Sequence, residues 1–165
     1  MEQAYPYLLR AVVRAVDTEE WLCQTPVMAA NGLPAPFESP FDDEIGLVYT
    51  AVGPDGVRAR LELQPKLCQP AGIVHGGVYC SIVESVASVS AHSWLNADGA
   101  AGGTVVGVNN NTDFLRAVSS GTLYAESTPI HRGRRQQLWA VTICDGDSRV
   151  IARGQVRLQN LPTGD

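Results

Sequence analysis

Between Lys66 and Asp98 the chain carries one Asp, Glu, Lys or Arg residue, Glu84. Its surroundings, "GGVYCSIVESVASVSA", are small and apolar, a composition suited to a helix enclosed on most sides. A carboxylate in such a place is costly unless it is paired or reaches a cleft. A lone helical glutamate ordinarily sits on a solvent-facing stripe or pairs with an arginine elsewhere. This helix offers no other charged residue to define a polar face. Just ahead of it, His75-Gly76-Gly77 opens the first turn, where backbone N–H groups are unpaired and the dipole favours negative charge. Two glycines let a ligand approach the main chain closely, and such donors can hold a developing oxyanion. Glu84 lies seven residues past Gly77, about 10 Å along a helix axis and back on the same face. Ser88 follows one turn later. Main-chain donors, a carboxylate and a hydroxyl in line on one helix are the parts of an acyl-transfer site. Their spacing allows such a site within one chain or shared between two.

Other chemistries lack their residues. His75, His92 and His131 share no metal-ligand spacing. Cys23, Cys68, Cys80 and Cys144 form no CxxC or CxxH pattern and read as reduced, packed thiols. No GxSxG elbow marks a serine hydrolase. A hydratase would place its histidine after the acidic residue, whereas His75 precedes Glu84. At "HRGRR", residues 131–135, three arginines surround a glycine at a strand turn. By itself this reads as a solvated turn, but in a chain of net charge -5 a local cation cluster also suits an anionic nucleotide.

The elements that position these residues follow from pattern. "EIGLVYTAV" and "VRARLELQ" are strands joined by the hairpin turn "GPDG". The second alternates, with Val57, Ala59, Leu61 and Leu63 on one face and Arg58, Arg60, Glu62 and Gln64 on the other. A helix spans about Gly76 to Trp94, with Val78, Ile82, Val86, Val89 and Ser93 along one stripe. Three or four strands follow, in "TVVGVNNNTDFLR", "GTLYAESTPIHRG", "RQQLWAVTICDG" and "RVIARGQVRLQ", with turns at "SSG" and "DGD". Strands, one long helix and then antiparallel strands make an α+β order. Upstream, Leu9, Val12, Val13 and Val16 sit at helical spacing, and a second helical piece runs near residues 19–30. "NGLPAPFESPF", with three prolines and a glycine, reads as a connector.

At 165 residues, 45% hydrophobic and 18% charged, the chain is a folded domain rather than a disordered one. Its acidic balance argues against general nucleic-acid binding. No basic leader opens it and no apolar run of membrane-spanning length occurs, so a cytoplasmic protein without membrane contact is expected.

Three blocks, "GIVHGGVYCSIVES", "NNTDFLRAVSSGTLYAESTPIHRGRR" and "DSRVIARGQVRL", resemble the hotdog-fold acyl-CoA thioesterases. The branch is that of the phenylacetate-pathway (PaaI-like) and 4-hydroxybenzoyl-CoA thioesterases, in its glutamate-using form. The resemblance covers about Glu44 to Gln159. It implies a curved antiparallel sheet wrapped around a long central helix, with a hotdog domain over 36–165 and an N-terminal helical extension and connector over 1–35. It also implies hydrolysis of a CoA thioester to free acid and CoA. Glu84 would be nucleophile or general base, and the Gly76 amide the oxyanion donor beside Gly77. Gln69 would position thioester or water, and His75 would orient the loop or contact the carbonyl. Ser88 stands where the glutamate branch has threonine and keeps its hydroxyl. Asn110 falls on the substrate side of its strand, while Arg116, Arg134 and Arg135 would meet the nucleotide. The family works as homodimers, often paired into tetramers, with a site shared across the dimer interface. No metal or separate cofactor is implied, since CoA belongs to the substrate. The alternative is a non-catalytic acyl-CoA-binding regulator on the same fold.

Overall fold

The computed structural model describes residues 39–97 and 103–161. The helices expected within the 1–35 extension lie outside the described residues. Helix α1 spans Pro40–Ile45, followed by strands β1, Leu47–Gly53, and β2, Gly56–Glu62. A 3-10 turn at Pro65–Leu67 leads to helix α2, Gly76–Leu95. Strands β3, Thr104–Phe114, β4, Thr122–Arg132, β5, Gln136–Cys144, and β6, Val150–Leu161, complete the described chain. The six strands form one open antiparallel sheet in the order β1-β2-β4-β5-β6-β3.

Helix α2 touches all six strands. Its buried positions, Tyr79, Ile82, Val83, Val86, Ala87, Val89, Ser90 and Ala91, recur at steps of three and four with additional neighbours. This is the pattern of a helix covered on more than one side. Residues as small as alanine and serine let the sheet come close. From the sheet, Val57, Leu61, Leu123, Trp139, Ile143 and Leu158 complete the core, while Arg58, Arg60 and Glu62 face outward. The α+β order and the alternation of β2 are as the sequence pattern predicts.

The connector differs from expectation. Its last proline, Pro40, occupies the first turn of α1, where its missing N–H costs nothing. Gly46, at φ 83°, ends that helix, so β1 begins at Leu47 rather than Glu44. Asp42 in α1 is buried and accepts hydrogen bonds from the Tyr49 hydroxyl at 2.7 Å and Ser85 Oγ at 2.6 Å. Burial first, then the Asp42 charge, pushes the Tyr49 phenol far above its ordinary range and keeps it a donor. The contact ties α1 to the residue following Glu84.

Strand β3 is an edge of the sheet and pairs only with β6 among the described residues. Its Val106, Val108 and Phe114 are 41%, 52% and 54% exposed. A long edge with exposed apolar side chains is a template for pairing with another chain.

Candidate active site at the α2 start and the β3 edge

The start of α2 is held by its own cap. His75 Nδ1 accepts from the Gly77 N–H at 2.9 Å, so the neutral ring carries its proton on Nε2. The His75 carbonyl accepts from the Val78 N–H, also at 2.9 Å. The Gly76 N–H is left without an acceptor among the described residues. A Cβ at Gly76 would lie 2.5 Å from the Phe114 ring, so a side chain there would displace that ring. Tyr79 packs on the same ring, with centroids 5.6 Å apart.

The loop before the helix is fixed by hydrogen bonds from the His75 N–H to the Leu67 carbonyl and from the Val74 N–H to the Val118 carbonyl. Gln69 contributes here: its Oε1 accepts from the Ala71 N–H at 2.9 Å, and its main chain exchanges bonds with Gly72 and Ile73. Gln69 and His75 therefore shape the loop that presents Gly76.

Glu84 is half-buried and turned toward β3. Its Oε2 accepts from Asn110 Nδ2 at 2.9 Å. The same nitrogen donates to the Cys80 carbonyl at 3.0 Å, and Asn110 Oδ1 accepts from Thr112 Oγ1 at 2.7 Å. Thr112 thus fixes which end of the amide faces the carboxylate. On the other side, a Cβ added at Gly107 would overlap Glu84 Oε1. Among the described residues no lysine or arginine pairs with Glu84. Ser88, one turn on, is half-buried and makes no side-chain hydrogen bond among the described residues.

Gly107 and Thr112 were not singled out from sequence. A glycine inside a strand pattern does signal a close approach, but nothing in the sequence says that the approaching group is Glu84. The β3–β6 register breaks between Gly107 and Asn109, and that irregularity sets which β3 side chains face the helix.

The arginines lie elsewhere. Arg134 and Arg135 line an open cavity of about 710 Å³ with His131, Gly133, Gln136 and Gln159, and Glu84 is not part of that lining. Neither arginine forms an ion pair among the described residues. Arg116 is exposed and anchored through its N–H to the Ile151 carbonyl at 3.1 Å. Among the described residues, no group of three His, Cys, Asp or Glu side chains could hold a metal ion, and no helix is long and apolar enough to cross a membrane.

Residues 71–152 match the model of the thioesterase superfamily. A Mycobacterium tuberculosis protein provisionally named an esterase is 62% identical over 130 residues, which cover 78% of this chain and 92% of that one. Its solved structure superimposes with a TM-score of 0.74, covering 77% of this chain and all of the other. A solved Haemophilus influenzae thioesterase, 30% identical, gives a TM-score of 0.68 over 73% of this chain and 82% of its own. The proofreading thioesterase EntH of Cronobacter sakazakii is 31% identical over 65% of this chain and 75% of its own.

Proposed function

The chain belongs to the thioesterase superfamily and has its hotdog fold, and from that premise we propose that it hydrolyses acyl-CoA thioesters to free acid and CoA. The observation that carries this reading is the Glu84 carboxylate: among the described residues it has no lysine or arginine partner, it is held by Asn110, and it is set against a sheet edge. The Gly76 N–H polarises the thioester carbonyl. Glu84 attacks the carbonyl carbon or takes a proton from the water that does. The sulfur leaves as thiolate, with a reference pKa of about 8.5, so a strong general acid is not required.

Gly76 and Glu84 are eight residues apart, about 12 Å along the axis of α2. This spacing allows a site within one chain or one shared by two, and the family resemblance supports the shared one. Antiparallel pairing of two β3 edges around a twofold axis would bring the helix start of one copy toward Glu84 of the other. It would also cover Val106, Val108 and Phe114. In this reading the protein is a homodimer or a dimer of dimers. His75 and Gln69 hold the oxyanion loop, with Gly77 beside the thioester. Ser88 faces the reaction space, while Arg116, Arg134 and Arg135 receive the nucleotide phosphates.

Thiol release measured across aromatic, short branched and medium-chain acyl-CoAs tests the proposal. Turnover of at least one class is expected. Tight binding of acyl-CoA without release of CoA would overturn it in favour of a non-catalytic sensor.

A further inference from the structure

The arginine turn is held more firmly than a three-residue connection needs. One bond, from the Gly133 N–H to the Gln136 carbonyl at 3.0 Å, closes it. Asn160 on β6 adds three more. Its Nδ2 donates to the carbonyls of Gly133 at 3.0 Å and Arg134 at 3.2 Å. Its main-chain N–H donates to the Arg135 carbonyl at 2.9 Å. Three successive turn carbonyls thus end on one residue.

Asn160 is itself oriented from the core. Its Oδ1 accepts from Gln137 Nε2 at 2.8 Å, and the same nitrogen reaches the Ala91 carbonyl of α2 at 3.2 Å. Gln137 Oε1 accepts from Trp139 Nε1 at 2.9 Å. Both Gln137 and Trp139 are fully buried. A buried amide is tolerated only when its polar atoms are partnered, and partnering leaves Gln137 one orientation. A relay of fixed side chains therefore runs from the central helix through Gln137 and Asn160 to the backbone that carries Arg134 and Arg135.

We infer that Asn160, set by Gln137, is a positioning residue for the binding of the substrate's phosphate-bearing handle. The inference rests on the proposed acyl-CoA reading. Asn160 fixes the backbone from which the two guanidinium groups enter the cavity, and it occupies carbonyl oxygens that would otherwise repel an anion. Arginine forks recognise phosphate only when their geometry is held, so loosening the turn weakens the handle's binding and leaves the thioester chemistry in place.

The test compares two substrates with the same acyl group, one on CoA and one on N-acetylcysteamine, which carries no phosphate. The variants are the Arg134→Ala/Arg135→Ala pair, Asn160→Ala and the milder Asn160→Ser, each checked for folding by its melting curve. Both Asn160 variants keep the main-chain bond to Arg135. The arginine pair and the Asn160 variants should each raise KM for the CoA thioester, by about tenfold for the pair and about threefold or more for Asn160, with kcat little changed, the signature of lost uniform binding. Parameters for the N-acetylcysteamine thioester should stay at wild-type values. If the arginine pair discriminates between the substrates and neither Asn160 variant does, the positioning role is overturned while the phosphate reading stands. If the arginine pair itself does not discriminate, the phosphate reading of the turn fails, and this inference with it.

Discussion

Asn110 Nδ2 donates to Glu84 Oε2 at 2.9 Å and to the Cys80 carbonyl one helical turn earlier. One amide thus joins the edge strand to the central helix at the level of the carboxylate. A hydrogen bond to a charged group is worth about 1.5–3 kcal/mol. Asn110→Ala should therefore lower kcat roughly 10- to 100-fold, provided the bond aims the carboxylate in the transition state as well. Steady-state kinetics beside a melting curve check this. Unchanged kcat in a folded variant would show that the orientation of Glu84 does not depend on Asn110.

Gly107 gives a second, steric control on the same group. A methyl at this position overlaps Glu84 Oε1, so Gly107→Ala must push the carboxylate aside. Displacement of a reacting group by about 1 Å costs on the order of 100-fold in rate. kcat/KM for the best acyl-CoA should fall by that order. A variant with wild-type kcat/KM would mean that the carboxylate tolerates another position.

The exposed edge of β3 predicts both assembly and its link to activity. Val108→Asp places a charge on a half-exposed apolar position of that edge, where strand pairing with a second copy is proposed. Sedimentation or native mass spectrometry should show a shift toward monomer, with thiol release lost in step. A monomeric variant that retains full turnover would place the whole site within one chain.

The β5–β6 turn carries a pH-dependent contribution to stability. Burial alone would raise the Asp145 carboxyl, but hydrogen bonds from the Arg149 side chain and from the Arg149 and Asp147 amides outweigh it and hold it below its ordinary range. A lowered carboxylate binds protons less readily in the folded than in the unfolded chain. Its stabilisation is therefore complete above the unfolded value of about 4 and is lost as pH falls through the lower folded value. Melting temperature against pH should show a shallower acid limb in Asp145→Asn than in wild type. Parallel curves would remove Asp145 as a contributor.

The sequence reveals what depends on local pattern. Glu84 draws notice because its helix has no other charge, and His75-Gly76 because glycines open a helix. The alternation of β2 identifies its buried face directly. The contacts that aim these groups depend on register instead. Thr112 and Gly107 act on the site only because β3 lies beside α2 with an irregularity between Gly107 and Asn109. Asp42 directly follows a proline-rich stretch that reads as a connector, although proline also begins helices. Asn160 grips a turn 26 residues away, a partnership no short-range pattern encodes.

Replacing Glu84 by glutamine tests the central claim most directly, since it keeps the shape and the bonding to β3 while removing the charge. Single-turnover thiol release by Glu84→Gln, at saturating acyl-CoA and with assembly and melting temperature unchanged, should fall by at least about a thousandfold, on the order of 4 kcal/mol of transition-state stabilisation. Release within a few-fold of wild type would contradict the account, whichever role Glu84 is given.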